Sequence, residues 1–201
     1  MADTGAPHFI PYVEPTDLVR EYPAADEASA FAVAAALDAV GNAGIGSNVV
    51  QTVKTDTFTT SSGSFTQVTG LTATITPSSG TSRILVLAEV KLSVENFDNA
   101  AAHLGLFRGE TQVYLGDADG SRVRSAATLS KNTANLQISF STWGYSILFL
   151  DSPATASAVT YGLRLRRGTG RSVFVNRSGL NANDANDGRT ASSITLVEVA
   201  P

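Results

Sequence analysis

From residue 49 onward the chain alternates short runs rich in apolar and β-branched residues with clusters of turn residues, and it never settles into a helical period. The runs are 49–58, 65–75, 83–94, 103–107, 112–115, 123–128, 135–143, 145–150, 159–167, 172–175 and 194–199. Between them stand SSGS, PSSGTS, ENFDN, RGE, DADGS, DSPATAS, RGTGR and NANDANDG, whose Gly, Pro, Asn, Asp and Ser favour tight reversals. Many short strands with turns between them and no intervening helices predict an all-β antiparallel sandwich or barrel over residues 49–201.

Alternation assigns faces. In the pattern LQISFS (136–141) and in YGLRLR (161–166), apolar and polar residues take turns, as in strands with one buried face. Residues 84–94 depart from this. The even positions Ile84, Val86, Ala88, Val90, Leu92 and Val94 are all apolar, while the odd ones start apolar (Leu85, Leu87) and turn polar (Glu89, Lys91, Ser93). One end of that strand is therefore apolar on both faces, and so is the run Ile147, Leu148, Phe149 and Leu150. A sandwich has one interior face per sheet, so the second apolar face needs a cover. A neighbouring subunit meeting Leu85 and Leu87 is one cover; a loop or the N-terminal helix is the other.

The first 48 residues differ. They hold one base against seven acids, −6, whereas residues 49–201 hold thirteen bases against eleven acids, +2. Pro7, Pro11, Pro15 and Pro23 keep residues 1–23 extended. The arm nevertheless carries Phe9, Ile10, Tyr12 and Val13, side chains a disordered tail is usually poor in, and these are the expected docking residues, on a partner or on the chain's own body. Residues 24–40 predict a helix: Asp26 and Glu27 in the first turn suit the dipole, alanine dominates, and Gly41 and Gly44 follow. Val33, Leu37 and Val40 lie on one side of it, either packing against other copies or lying on the sandwich. Residues 42–48 form a Gly-rich joint, so the expected division is arm 1–23, helix and joint 24–48, and sandwich 49–201.

Chemistry is sparse. A nucleophilic triad needs a histidine between a nucleophile and a carboxylate; His8 sits in the arm and His103 begins a strand, with no serine elbow nearby. Asp117 and Asp119 fall in a turn rather than across a cleft. NANDANDG (181–188) fails the spacing of a calcium loop, since Ala185 and Ile194 stand where ligands are required, leaving an irregular Ca²⁺ site or a plain polar loop. Arg164, Arg166, Arg167 and Arg171 form a basic group, either a solvated face or a contact for acidic glycans or a neighbour's acidic arm. With no cysteine there is no thiolate site. The expectation is no catalytic residue, no cofactor and no metal. No concentrated basic patch points to nucleic acid, and no apolar stretch approaches the roughly 20 residues of a membrane span.

The run VVQTVKTDTFTTSSGSFTQVTGLTATITPSSGTSRILV (49–86), with GDADGSRVRS (116–125), FLDSPATASAVTY (149–161), VFVNRSG and RTASSITLVEVA, resembles a β-sandwich module of tailed-phage virion proteins, of the tail-fibre and head- or tail-appendage kind. The segment HFIPYVEPTDLVREYPAADEASAFAVAAALDAV resembles N-terminal segments of minor tail proteins in phages of actinobacteria. The resemblance implies a jelly-roll-like body similar to the tumour-necrosis-factor class and a homotrimer, attached to the virion and assembled in the host cytoplasm. Its expected role is a non-enzymatic tail or capsid appendage (tail fibre, minor tail protein, head fibre or decoration protein) anchored by its arm. Its expected partners are copies of itself and other virion proteins. The alternative is a module that binds a host receptor or glycan.

Overall fold

The alternation at 84–94 becomes a strand whose even side chains are all buried, from Ile84 to Val94. In the computed structural model that strand is the spine of one of two packed antiparallel sheets. The structure describes residues 31–33, 48–95, 100–131, 140–168 and 172–200. The chain divides into two compact units, 1–44 and 45–201. In the first unit residues 31–33 are helical, with Phe31 and Val33 exposed. The arm 1–23, with Phe9, Ile10, Tyr12 and Val13, lies outside the described residues, as do Leu37 and Val40.

The second unit contains β1 (Val49–Lys54), β2 (Phe58–Thr60), β3 (Thr66–Ile75), β4 (Arg83–Val94), β5 (Ala100–Arg108), β6 (Thr111–Val113), β7 (Ala127–Lys131), β8 (Trp143–Asp151), β9 (Val159–Arg167), β10 (Val173–Val175) and β11 (Ser192–Val199). The first sheet runs β1-β11-β4-β8, with β10 and β2 continuing it where β11 leaves β4. The second runs β3-β9-β5, and β5 then pairs with β7 along one half and β6 along the other. An order of 1-11-4-8 over 3-9-5-7, with successive strands crossing between sheets, is jelly-roll connectivity. Inward residues of both sheets, among them Leu71, Ile75, Leu104, Leu106, Leu163, Leu165, Ile194 and Leu196, fill the space between them.

Three expected strands come out differently. The run 49–58 breaks into β1 and β2. The run 123–128 starts as an irregular segment and pairs only from Ala127, because Ala126 first bonds Leu104 and the Arg124 side chain turns back to the Gly116 carbonyl. The expected strand 145–150 begins earlier, at Trp143, so that Trp143, Gly144 and Tyr145 lie in one continuous strand. Gly144 is there because the side chains of Glu89 and Lys91 lie across it; a Cβ would come within 2.7 Å of both. Most of the expected strand 135–143 lies outside the described residues.

The break between β1 and β2 has a cause. On one side of β4 the partner changes from β11, ending at Glu89, to β10, beginning at Leu92. Asn176, fully buried at φ 61°, fills the gap. Its amide N–H donates to Lys91 O at 3.0 Å, and its side-chain nitrogen donates to Lys54 O at 2.9 Å and Asp56 O at 3.0 Å. Its side-chain oxygen accepts from Ser192 Oγ at 2.6 Å, and that oxygen in turn accepts from the Lys91 amide at 3.0 Å. Asparagine tolerates left-handed backbone better than most residues, which explains the choice.

Two buried carboxylates tie other corners. Asp151, ending β8, accepts from Tyr161 Oη on β9 at 2.6 Å and from Arg108 Nη1 on β5 at 2.8 Å, joining the two sheets. Burial first, then the Asp151 carboxylate, push the Tyr161 hydroxyl well above its usual pKa. Glu198, 1% exposed on β11, accepts from the Ser78 amide at 2.7 Å, Ser78 Oγ at 2.6 Å and Asn48 Nδ2 at 3.3 Å. It thus fixes the start of β1 and the loop between β3 and β4.

Two outcomes test these nodes. Asn176→Asp keeps the shape and the left-handed tolerance but cannot donate to the Lys54 and Asp56 carbonyls. It should lower the unfolding free energy by about 2–4 kcal/mol, read as a lower denaturation midpoint with an unchanged slope. For Glu198, burial works to raise the pKa, but the hydrogen bonds from Ser78 and Asn48 outweigh it and the net pKa is lowered from 4.5. A carboxyl held lower in the folded state contributes stability above pH 4.5 and loses it as the pH falls through the folded value. Melting temperature should therefore drop on acidification below pH 4.5, and Glu198→Gln should melt lower at neutral pH with a shallower acid limb.

Candidate functional site

The face of the first sheet that points away from the core carries three side-chain rows, each crossing four strands. Register places Val49, Val197, Leu85 and Leu150 in the first row, all aliphatic. The second holds Gln51, Thr195, Leu87 and Leu148. The third holds Val53, Ser193, Glu89 and Ser146. Leu148 is 65% exposed, Val49 54%, Leu150 40% and Leu87 37%. At about 4.8 Å between strands, the aliphatic row spans roughly 14 Å.

At the Glu89 end of this face the bordering polar groups neutralise one another, while at the other end the exposed Arg83 lies beyond Leu85 at the same parity of β4. Glu89 Oε1 pairs with Lys91 Nζ at 2.5 Å, and Ser146 Oγ donates to the other carboxylate oxygen of Glu89. The hydrogen bond from Lys91 leads in holding the Glu89 carboxyl below its usual pKa, followed by that from Ser146. Gln51 Nε2 donates to Thr195 Oγ1 at 2.8 Å. The result is an apolar band whose polar border is self-satisfied at the Glu89 end.

Leu85 and Leu87 thus stand where alternation put them. The two-faced run 147–150 resolves into Ile147 and Phe149 facing inward and Leu148 and Leu150 outward. Val49 and Val197 complete the row and escaped the sequence reading; their signal was a valine at the outward parity of two strands paired with the one carrying Leu85. Val33 is exposed in the first unit. At the far end of β4 the expectation is inverted: Ser93, a polar outward residue, is 1% exposed because the segment after β10 covers it, with Ser93 Oγ donating to Arg177 O at 2.7 Å. Phe174 lies there beneath the Arg177 guanidinium, 4.1 Å from its ring centre. The polar end is covered, and the apolar end faces outward.

The other candidates have structural partners. Arg164 meets Glu110 through two bonds of 2.8 and 2.7 Å and lies 4.3 Å from the centre of the Phe107 ring. Phe107 and Phe65 meet edge to face at 5.4 Å, in space that exists because position 105 is glycine. His103 Nδ1 lies 3.1 Å from Thr128 Oγ1; burial, then the Arg166 charge, hold its pKa below the usual value. Asp119 pairs with Arg122 within its own turn. In 181–188, Asp184 Oδ1 accepts from the amide and side chain of Asn186 at 2.8 Å each, and Asp187 Oδ2 accepts from the Ala182 amide at 2.5 Å. Among the described residues no three His, Asp or Glu side chains gather as a metal-binding group. Arg171 lies outside the described residues.

No known protein family and no curated protein matches the chain. Among solved structures it is similar to a chain from the structure of the infectious bursal disease virus Gx strain, at 11% identity and a TM-score of 0.32. The similarity covers 77% of this protein and 39% of the viral chain, so the protein spans about two fifths of that chain's length.

Proposed function

We propose that the protein is a non-enzymatic structural component of a virion: a jelly-roll module that assembles with copies of itself as a trimer, with its N-terminal arm as the anchor. The observation that carries this reading is the outward apolar band built on Leu85, Leu87, Leu148 and Leu150. An exposed apolar surface of this kind supports burial against a neighbouring copy of the chain. The sequence resemblance to tailed-phage appendage modules supplies the virion setting and the trimeric stoichiometry. The absence of a catalytic role is supported by where the titratable clusters sit. Asp151 with Tyr161, and Glu198 with Ser78, are packed into the sandwich as fastenings.

Fully burying a leucine is worth roughly 1.5–3 kcal/mol, so charging two of them should dissolve the assembly. Light scattering on the full chain should give three times the 20.9 kDa of one chain. Leu87→Asp with Leu148→Asp should give a folded monomer with an unchanged β-type circular-dichroism spectrum. A wild-type monomer at micromolar concentration would overturn the reading.

The arm is tested separately. Deleting residues 1–23 should leave a soluble, folded body that no longer incorporates into particles. Incorporation at normal occupancy would move the anchor elsewhere.

A further inference from the structure

A second surface lies beside the strand β6, away from the apolar band. Tyr114, directly after β6, takes a left-handed backbone at φ 49° and is 42% exposed. A bulky non-glycine residue rarely adopts that conformation, so the surrounding structure must impose it. Its ring is held against Phe149 of β8, centre to centre 5.2 Å at 38°. A depression of about 290 Å³ opens beside it, lined by Tyr114, Leu115, Gly116, Ser125 and Ala126.

Ser125, also in the lining, has polar partners of its own. Ser125 Oγ lies 3.1 Å from Thr128 Oγ1, and Thr128 Oγ1 lies 3.1 Å from His103 Nδ1. This chain of polar atoms orients the serine hydroxyl before anything binds. The backbone around the depression is tied by Gln112 Nε2 to Arg124 O at 2.9 Å, Arg124 Nε to Gly116 O at 2.6 Å and the Ala126 amide to Leu104 O at 2.8 Å. An exposed aromatic residue and a serine in one lining, with no charged residue among the described residues that line it, suit a neutral ring that is apolar on one face and hydroxylated at its edge. Its volume lies at the lower end for small-molecule sites, enough for a single ring-sized unit.

We infer that the depression beside Tyr114 is a saccharide-binding subsite. The C–H face of one sugar ring lies on Tyr114, and Ser125 meets a ring hydroxyl. One such contact is weak, with a dissociation constant on the order of 1 mM, and repetition across the copies of an assembly turns it into useful avidity.

Saturation-transfer difference NMR on the full chain tests this with glucose, galactose, N-acetylglucosamine and rhamnose as probes, each titrated to about 50 mM, well above the expected constant. At least one sugar should show saturable transfer concentrated on the hydrogens of one ring face. Tyr114→Ala should weaken that binding roughly tenfold. Ser125→Ala should weaken it while leaving the one-face pattern of transfer. Melting temperature and light scattering check that both variants stay folded and keep their stoichiometry, which separates this outcome from any failure of assembly. No saturable transfer from any probe, or transfer unchanged by Tyr114→Ala, overturns the assignment.

Discussion

A strand that changes partner part-way along its length must leave backbone groups to be satisfied at the change, and in this sandwich Asn176 satisfies them. β4 pairs with three strands of its sheet: β8 along one side, β11 and then β10 along the other. Between the last residue paired with β11 and the first paired with β10, the Lys91 amide and carbonyl face no strand. Asn176 takes the carbonyl and Ser192 the amide, while the Asn176 side chain holds the end of β1 and the turn beyond it. Left unpaired in the interior, each such group costs about 1–3 kcal/mol, so without this node the first sheet would split where β1 ends. The chain after β10 is then committed to cross over Ser93 and Phe174, which decides which end of the outer face is covered.

Parity was legible wherever a strand obeyed one rule from end to end. The even residues of 84–94 and the odd residues Tyr161, Leu163 and Leu165 are buried as alternation requires. Leu85 and Leu87 face outward for the same reason. The boundaries that failed were set by particular side chains. Asn176 ends β1 early, Arg124 and Ala126 delay β7, and the pair Glu89 and Lys91 makes Gly144 a strand residue. None of these is visible in a run of neighbouring letters, because each joins segments distant in sequence.

The more informative omissions are polar residues at core parity. Glu198 follows Ile194 and Leu196 on the inward side of β11, and Lys54 follows Val50 and Thr52 on the inward side of β1. Both are nearly inaccessible, Glu198 under Ser78 and Asn48, Lys54 bonded to Asp56 at 2.7 Å. A carboxylate or ammonium at an alternating apolar position is a signal readable without a structure. It says that the strand end meets a loop rather than the opposite sheet, since a buried charge needs donors or acceptors that a hydrocarbon core lacks. The site beside Tyr114 had no such signal, because its strain and its depression arise from how two distant segments meet.

The apolar band also limits how the assembly can be held together. Its leucines and valines are already partly shielded, so covering them recovers a fraction of the roughly 1.5–3 kcal/mol that full burial of each side chain brings. Six such residues yield about 5–8 kcal/mol on that scale, against an association cost of about 4–15 kcal/mol. The band alone therefore stands near break-even, enough to choose a partner and a geometry but not to hold three copies at low concentration. A stable trimer needs further contact surface, and the sequence holds apolar residues outside the described ones: Phe9, Ile10, Tyr12 and Val13 in the expected arm, Leu37 and Val40 in the expected helix. Joined covalently to the sandwich, such segments act at high effective concentration, so even weak contacts between them add to the band rather than compete with it. On this reasoning the proposed trimer would take its orientation from the band and need further contact surface for persistence, for which the N-terminal segments are the candidates.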